Sequence, residues 1–238
     1  MYVRAYALKI KKEDIMGCLG LLLGGVVGAS NKAALKNELK GKNSDQQQII
    51  HYFLDERGCL KKGIPDSEFD ANKKRQINAL NLKQRALNKL GIDEDQVKEI
   101  EPICLEGPFY KESRKRCGAD NLNRYSAYQI TYIFCSSDQV YVYQYTLNLD
   151  KDDKKERAEE YFYKDITNFT TVDESENYDF EVTKGCMKAT ELRRIPVNTN
   201  SLKIVVPGDA FMCSMISSDE TEGQIQALKA KLREKKNS

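Results

Sequence analysis

The alternation of residue types that begins at Tyr125 constrains the fold of this chain more than any other feature. Aromatic and β-branched residues alternate with polar ones in "YSAYQITYIFCS" and "QVYVYQYTLNL", and Ser137-Asp138 separates the two stretches. Because successive side chains of a strand point to opposite faces, a period of two indicates β-structure. Two such stretches joined by so short a turn predict a β-hairpin.

Shorter stretches of the same kind follow the hairpin. They bring the expected number of strands to about seven, the later ones at "YFYKDITNFTT", "DFEVT", "KATELRRI", "SLKIVV" and "AFMCSMI". The charged stretch "DKDDKKERAEE" predicts a loop, and Pro207-Gly208-Asp209 predicts a turn.

The C-terminal stretch "SSDETEGQIQALKAKLREKK" predicts a helix. Ser217 and Glu220 have the spacing of a capping box, and the apolar stripe consists of Ile225, Leu228 and Leu232. A run of strands followed by a helix predicts an antiparallel sheet covered by that helix. We expect the seven strands to form one curled sheet or partial barrel, with the helix closing an open end.

The first hundred residues predict helices instead. "SDQQQIIHYFLDERG" begins with a capping-box pair, Ser44 and Gln47, and Gly58 ends it. "ANKKRQINALNLKQRALNKLG" predicts one long basic helix that stops at Gly91. The fold class is therefore α+β. It divides into a glycine-rich helical segment (1–32), a helical region (33–100) and a β domain with its C-terminal helix (101–238).

The glycine-rich segment "GCLGLLLGGVVGAS" places Gly20, Gly24 and Gly28 four residues apart. Glycines at this spacing lie on one face of a helix, where another backbone can approach closely. A membrane span needs about 20 apolar residues, and this run is shorter. Three partners stay open for this face: the later helices of the chain, a membrane surface, or a second copy.

Composition argues against familiar catalysis. The chain has one histidine, which removes most acid–base sets, and none of its seven cysteines shows C-x-x-C spacing. We expect reduced thiols in a cytoplasmic protein, with no metal and no cofactor. The formal net charge of +2 provides no overall attraction for nucleic acid.

The order of about seven strands and one closing helix resembles the pleckstrin-homology-like (PH-like) fold. "EYFYKDITNF" is similar to a third-strand phrase of bacterial members through Tyr163, Asp165 and Ile166, although Phe162 stands where the family often has Pro. The resemblance covers roughly Tyr125 to Lys236. It implies a binding or assembly module, since such domains bind phosphoinositides, peptides or copies of themselves.

Basic residues just before the first long strand are the candidate anion-binding site. They are Lys111, Arg114, Lys115, Arg116 and Arg124. The loop between the first two predicted strands is "SSD", which contains no Lys or Arg. This absence argues against inositol-phosphate binding at the position that PH-like domains usually use.

The resulting hypothesis is a non-catalytic cytoplasmic binding or assembly module. We expect a protein partner or self-association, and attachment to the inner membrane face through the glycine-rich segment; a small-molecule partner stays unknown. One alternative is an enzyme with a pocket between the helical region and the sheet. A second, which we disfavour, is nucleic-acid binding through the basic helix at 73–89.

Overall fold

The computed structural model describes residues 35–54, 63–184 and 189–237. Residues 35–39 are helical. The longer helices are α1 (Ser44–Leu54), α2 (Asp66–Ala79), α3 (Leu82–Leu90) and α4 (Asp219–Asn237), and single 3-10 turns cover Glu94–Val97 and Tyr163–Asp165. The strands are β1 (Ile103–Pro108), β2 (Lys115–Cys117), β3 (Asn123–Tyr125), β4 (Ala127–Cys135), β5 (Gln139–Asn148), β6 (Lys154–Phe162), β7 (Asn168–Lys184), β8 (Ala189–Val206) and β9 (Asp209–Ser214).

The strands form three antiparallel sheets. A four-stranded sheet has the order β1-β4-β5-β6, a two-stranded sheet contains β2 and β3, and a three-stranded sheet has the order β7-β8-β9. The α+β class is therefore confirmed, whereas the single curled sheet of seven strands is wrong. The 3-10 turn Tyr163–Asp165 ends pairing after β6, and β7 then begins a separate sheet.

The predicted hairpin is confirmed as β4 and β5, which pair from Ala127↔Asn148 to Cys135↔Val140. The turn between them is closed by Ser136, whose Oγ accepts a 3.1 Å hydrogen bond from the Gln139 backbone N–H. The predicted turn at Pro207-Gly208-Asp209 is also confirmed, since Gly208 has a φ of 85° and separates β8 from β9.

The loop predicted at "DKDDKKERAEE" is wrong over most of its length, because β6 begins at Lys154 and pairs with β5. This strand lies at the edge of its sheet and is largely exposed. Charged residues on an edge strand hinder pairing with other chains, so a strand in this position lacks the usual apolar alternation.

The helix boundaries differ from the prediction at three places. The capping box of α1 is formed by Asn43 and Gln46, one residue earlier than expected. The side chain of each accepts a hydrogen bond from the backbone N–H of the other. At the C-terminal helix Ser218 caps the Thr221 N–H, again one residue from the predicted position. The long basic helix is two helices, because Asn81 adopts a left-handed φ of 44° between α2 and α3.

The four-stranded sheet is the central layer of the fold, and other elements pack over most of each of its two faces. Helices α1–α3 pack on one face and form the first core, which includes Tyr52, Phe69, Leu87, Tyr128, Phe134 and Tyr143. The other face packs against the three-stranded sheet and α4, in a second core that includes Ile133, Val142, Leu202, Phe211 and Leu228. The helical and β regions therefore share a core.

The predicted apolar stripe of the last helix is confirmed, since Ile225, Leu228 and Leu232 are all buried in the second core. The long β7–β8 ribbon reaches both cores. One end of this ribbon contributes Leu202 and Ile204 to the second core, and the other end contributes Phe180 and Val197 to the first core.

In the part of the chain that the structure describes, no helix is both long enough and apolar enough to cross a membrane. The segment that carries Gly20, Gly24 and Gly28 lies outside the described residues, as does the predicted helix end at Gly58. Predictions made for these positions therefore stay predictions.

Candidate functional site

Arg114, one of the predicted anion-binding residues, lies buried among carboxylates. Its Nε donates to Asp150 at 2.8 Å, its Nη1 to Glu181 at 2.6 Å and its Nη2 to Glu38 at 3.0 Å. Asp150 is itself buried, and the three partners belong to different parts of the chain. This arginine therefore joins the first helical residues, the loop after β5 and strand β7.

Arg124 of β3 is also buried and bound by several carboxylates. Its guanidinium binds Asp70 of α2 through both carboxylate oxygens, at 2.9 and 2.7 Å, and Asp120 at 2.9 and 2.8 Å. Asp66 lies 3.9 Å away. The hydrogen bonds from Arg124 hold the pKa of Asp120 well below its usual value. Strand β3 is thereby attached to helix α2.

Two further predicted cations rest on aromatic rings. The Arg116 guanidinium lies 4.3 Å from the ring centroid of Tyr52 and donates to that residue's backbone carbonyl. The Lys115 ammonium lies 5.6 Å from the Phe180 ring centroid, and burial lowers the pKa of this lysine. Four of the five predicted anion-binding cations thus contact groups of the fold itself, which leaves Lys111.

The interface between the helices and the sheet is where the enzyme alternative places its pocket. Arg85 of α3 donates to both oxygens of Glu156 on β6, at 2.7 and 2.8 Å. The Tyr143 hydroxyl donates to the same carboxylate at 2.5 Å. The hydrogen bonds from Arg85 are the main cause that lowers the pKa of Glu156 to about 2. These three groups satisfy one another's hydrogen bonds at a partly exposed position beside the first core.

Most of the cationic side chains in the basic segment 73–89 form ion pairs with carboxylates. The ion pairs are Lys73–Glu106, Arg75–Asp45, Lys83–Glu94 and Arg85–Glu156. Neutralised side chains release fewer counterions from nucleic acid, and this reduces the electrostatic part of such binding.

The buried thiols have raised pKa values. Burial raises the pKa of Cys135 to about 11 and that of Cys213 to about 12, so both are neutral at physiological pH. Both pack in the second core as small apolar groups.

Glutamines of the four-stranded sheet hold the edge strand β9 against it. Gln129 accepts a 2.9 Å hydrogen bond from the Ser214 backbone N–H through its Oε1, and Gln144 donates at 3.0 Å to the Met212 carbonyl. Gly107 permits this close approach, because a Cβ there would lie 2.4 Å from the Ser214 carbonyl carbon. The covering sheet therefore meets the central sheet at these glutamines.

Beyond these glutamines the same face of the central sheet opens into a hollow. The register places Thr146 opposite both Gln129 and Lys155, and Asn148 opposite Ala127. The hollow is open to solvent, and we call it the lysine hollow. It is lined by Phe109, Lys111, Glu112, Ala127, Thr146, Leu147, Asn148, Asp153, Lys154 and Lys155. Of the described residues, none from β7–β9 or α4 belongs to this lining.

Two lysines contribute positive charge to the hollow. Lys111 and Lys155 are exposed, and among the described residues no carboxylate oxygen lies within 4.0 Å of their ammonium groups. Lys154 pairs with Leu147 of the first core, so its side chain lies on the opposite face of the sheet. The Lys155 ammonium lies 5.8 Å from the ring centroid of Phe109. Two carboxylates, Glu112 and Asp153, complete the charged part of the lining.

Sequence reasoning identified Lys111 and missed Lys155, because it placed the stretch that contains Lys155 in a loop. The pair Lys154-Lys155 directly after Asp152-Asp153 was the one local signal. Only the register of β6 against β5 shows that Lys155 lies opposite Thr146 and shares a face with it.

Comparisons of the chain with protein families, with curated proteins and with solved structures find no match. The resemblance to PH-like domains stays a prediction.

Proposed function

We propose that this chain is a non-catalytic binding module, and that its ligand binds in the lysine hollow. The observation that carries the proposal is the uncovered end of the central sheet, where the half-buried Phe109 ring and two lysines line one hollow. Neither lysine, Lys111 or Lys155, has a carboxylate partner among the described residues. A concave surface with a few polar groups on an apolar floor is the common form of a binding site.

The surrounding fold supports the proposal by fixing the strands that form the hollow. Arg114 binds Asp150 just after β5, and Gln46 of α1 donates at 2.7 Å to Asp152 in the same loop. The strand ends that line the hollow are therefore attached to the helices. A preformed site loses less conformational entropy when it binds a ligand.

Protein association through Gly20, Gly24 and Gly28 belongs to the same proposal, as a second surface of the module. A glycine face permits close approach of another helix or a membrane surface. The lysine hollow and the glycine face are distinct parts of the chain, so each is tested separately.

Chemical-shift mapping by NMR tests the proposed site while the identity of the ligand is still open. The ¹⁵N-labelled full chain is titrated with a library of small polar fragments of all charge types. The expected result is that the largest shifts of the amide signals fall at residues 109–112, 127, 146–148 and 153–155. Shifts that fall elsewhere, or none at any fragment concentration, would contradict the proposal.

A variant that fills the hollow provides the control. Asn148→Trp places a large ring at its half-buried edge without changing the charge and should abolish the shifts at residues 109–112. Asn88→Trp, at an exposed position of α3, is the matched substitution away from the hollow and should leave them unchanged. An equal loss of binding in both variants would contradict the proposal that the ligand binds in the lysine hollow.

A further inference from the structure

We propose that the lysine hollow binds the phosphate group of a phosphomonoester. This inference rests on the proposed function and adds the chemical class of the ligand. Both the charged side chains that line the hollow and the neutral donors beside them favour a phosphate.

The lysines of the hollow differ from the cations that join the elements of the fold. Lys73, Lys83, Arg85, Arg114, Arg124 and Lys231 each have a carboxylate oxygen within 3.0 Å. Lys111 and Lys155 have none within 4.0 Å among the described residues, although Glu112 and Asp153 line the same hollow. Their positive charge can therefore attract an anion from outside.

Lysine side chains suit a phosphate group. An ammonium is a compact charge with three donor hydrogens and no fixed plane, so several of them can surround oxygens that point in different directions. A flat carboxylate is better matched by the planar fork of an arginine, and the nearby arginines already bind carboxylates. The hollow thus offers the donors that match a tetrahedral oxyanion.

Neutral donors lie beside the lysines. The Thr146 Oγ1 accepts a 3.4 Å hydrogen bond from Gln129, so its own hydrogen is free to donate. The Asn148 Oδ1 accepts a 3.3 Å hydrogen bond from the Asp150 backbone N–H. The side-chain amide hydrogens of Asn148 take no part in this hydrogen bond. Both side chains line the hollow and can donate to phosphate oxygens.

The lining also limits the ligand. The charges of Lys111 and Lys155 are offset by the carboxylates of Glu112 and Asp153, so the lining suits one phosphate group better than the higher negative charge of a polyphosphate chain. The Phe109 ring provides an apolar surface beneath Lys155 for the rest of the ester. A phosphomonoester with an apolar or flat substituent fits both features.

Calorimetric titration with phenyl phosphate at low ionic strength tests the inference on the full chain. Phenol is the uncharged probe, and inorganic phosphate is the probe without a ring. We expect phenyl phosphate to bind most tightly, phosphate alone more weakly, and phenol with no measurable heat. Binding should weaken as the pH falls below about 6, where the phosphate gains its second proton. Tighter binding of phenol than of phosphate would overturn the inference.

Lysine variants locate the charge that matters. The double variant Lys111→Gln, Lys155→Gln should bind phenyl phosphate about tenfold more weakly, since each exposed ion pair contributes modestly. The matched control is Lys74→Gln, Lys164→Gln. It includes an exposed lysine 5.4 Å from the Phe162 ring centroid and therefore removes one comparable cation–ring pair outside the hollow. An equal effect in both double variants would overturn the inference.

The two sets of experiments distinguish an error in the class of ligand from an error in the position of the site. Shifts at the hollow that appear with neutral fragments and survive the lysine double variant would refute the phosphate inference and leave the proposed function standing. Shifts elsewhere in the chain would refute both. Vesicles of phosphatidylcholine with and without phosphatidic acid distinguish a lipid phosphate from a soluble one. Binding only to vesicles that contain phosphatidic acid, lost in the double variant, assigns the phosphate to a membrane.

Discussion

The Arg124 guanidinium binds both carboxylate oxygens of Asp70, with Nε at 2.9 Å and Nη2 at 2.7 Å. The arginine belongs to β3 and the aspartate to α2, and only 7% of the Arg124 side chain is exposed. A two-point ion pair of this kind fixes both distance and orientation. It connects the helical region directly to the two-stranded sheet.

Removal of this arginine should destabilise the fold. Arg124→Met leaves Asp70, Asp120 and Asp66 without their shared cation. Because the Asp70 and Asp120 side chains are 48% and 42% exposed and water can replace the arginine, we expect a loss of about 1.5–3 kcal/mol, the range for hydrogen bonds to charged groups. Urea unfolding measures the change. Arg157→Met is the control, because the Arg157 side chain is 42% exposed, and it should change the free energy of unfolding by less than about 1 kcal/mol. Similar losses in the two variants would contradict the role of Arg124.

Acid should weaken the contact between α3 and β6. The folded-state pKa of Glu156 is about 2, below its usual value near 4.5, so this carboxylate stabilises the fold above about pH 4.5. Its contribution is lost as the pH falls from there towards 2. Urea unfolding between pH 7 and pH 3 should show a smaller loss of stability for Glu156→Gln than for the unaltered chain. If the free energy of unfolding depended on pH in the same way in both proteins, the stabilising role of ionised Glu156 would be contradicted.

Alanine substitutions at two glycines should change the stability of the fold in opposite directions. A Cβ at Gly107 would meet the Ser214 carbonyl carbon at 2.4 Å and the Met215 nitrogen at 2.5 Å, so Gly107→Ala should cost about 1–3 kcal/mol. A Cβ at Gly223 of α4 meets no atom within 4 Å, and Gly223→Ala should stabilise the helix by about 0.5–1 kcal/mol. Thermal unfolding of both variants measures the difference. A neutral Gly107→Ala would show that β9 does not pack tightly on β1.

Deletion of residues 13–30 tests the glycine-rich segment. If Gly20, Gly24 and Gly28 form a contact face, the shortened chain should move from a membrane or oligomer fraction to the soluble monomer. Sedimentation velocity and membrane flotation measure this change. The variant Gly20→Leu, Gly24→Leu, Gly28→Leu keeps the apolar length and should act like the deletion if close approach matters. Unchanged behaviour in both would exclude this segment as the contact.

The regular parts of this fold could be predicted because their residue patterns are local. The β4–β5 hairpin follows from aromatic alternation, and the stripe of Ile225, Leu228 and Leu232 follows from helical spacing. β6 could not be found in this way. It is an edge strand whose pairing to β5 is not marked by apolar alternation, and its sequence is dominated by charge.

The sheet division and the site depend on contacts that no local pattern reports. Nothing in the sequence around Tyr163 indicates that pairing ends there, so the residue pattern alone predicts one sheet. Arg114 and Arg124 resemble surface cations in the sequence, and their carboxylate partners are between 4 and 76 residues away along the chain. The lysine hollow results from the β6 register together with the extent of the covering sheet, and both are tertiary features.

Intermolecular NOEs between bound phenyl phosphate and the protein test the central claim most directly, because they report which side chains touch the ligand. The account predicts NOEs from the probe's ring protons to the Phe109 ring and to the Thr146 methyl group. NOEs to exposed apolar residues outside the hollow, such as Leu192 or Met212, without any to Phe109 would contradict it.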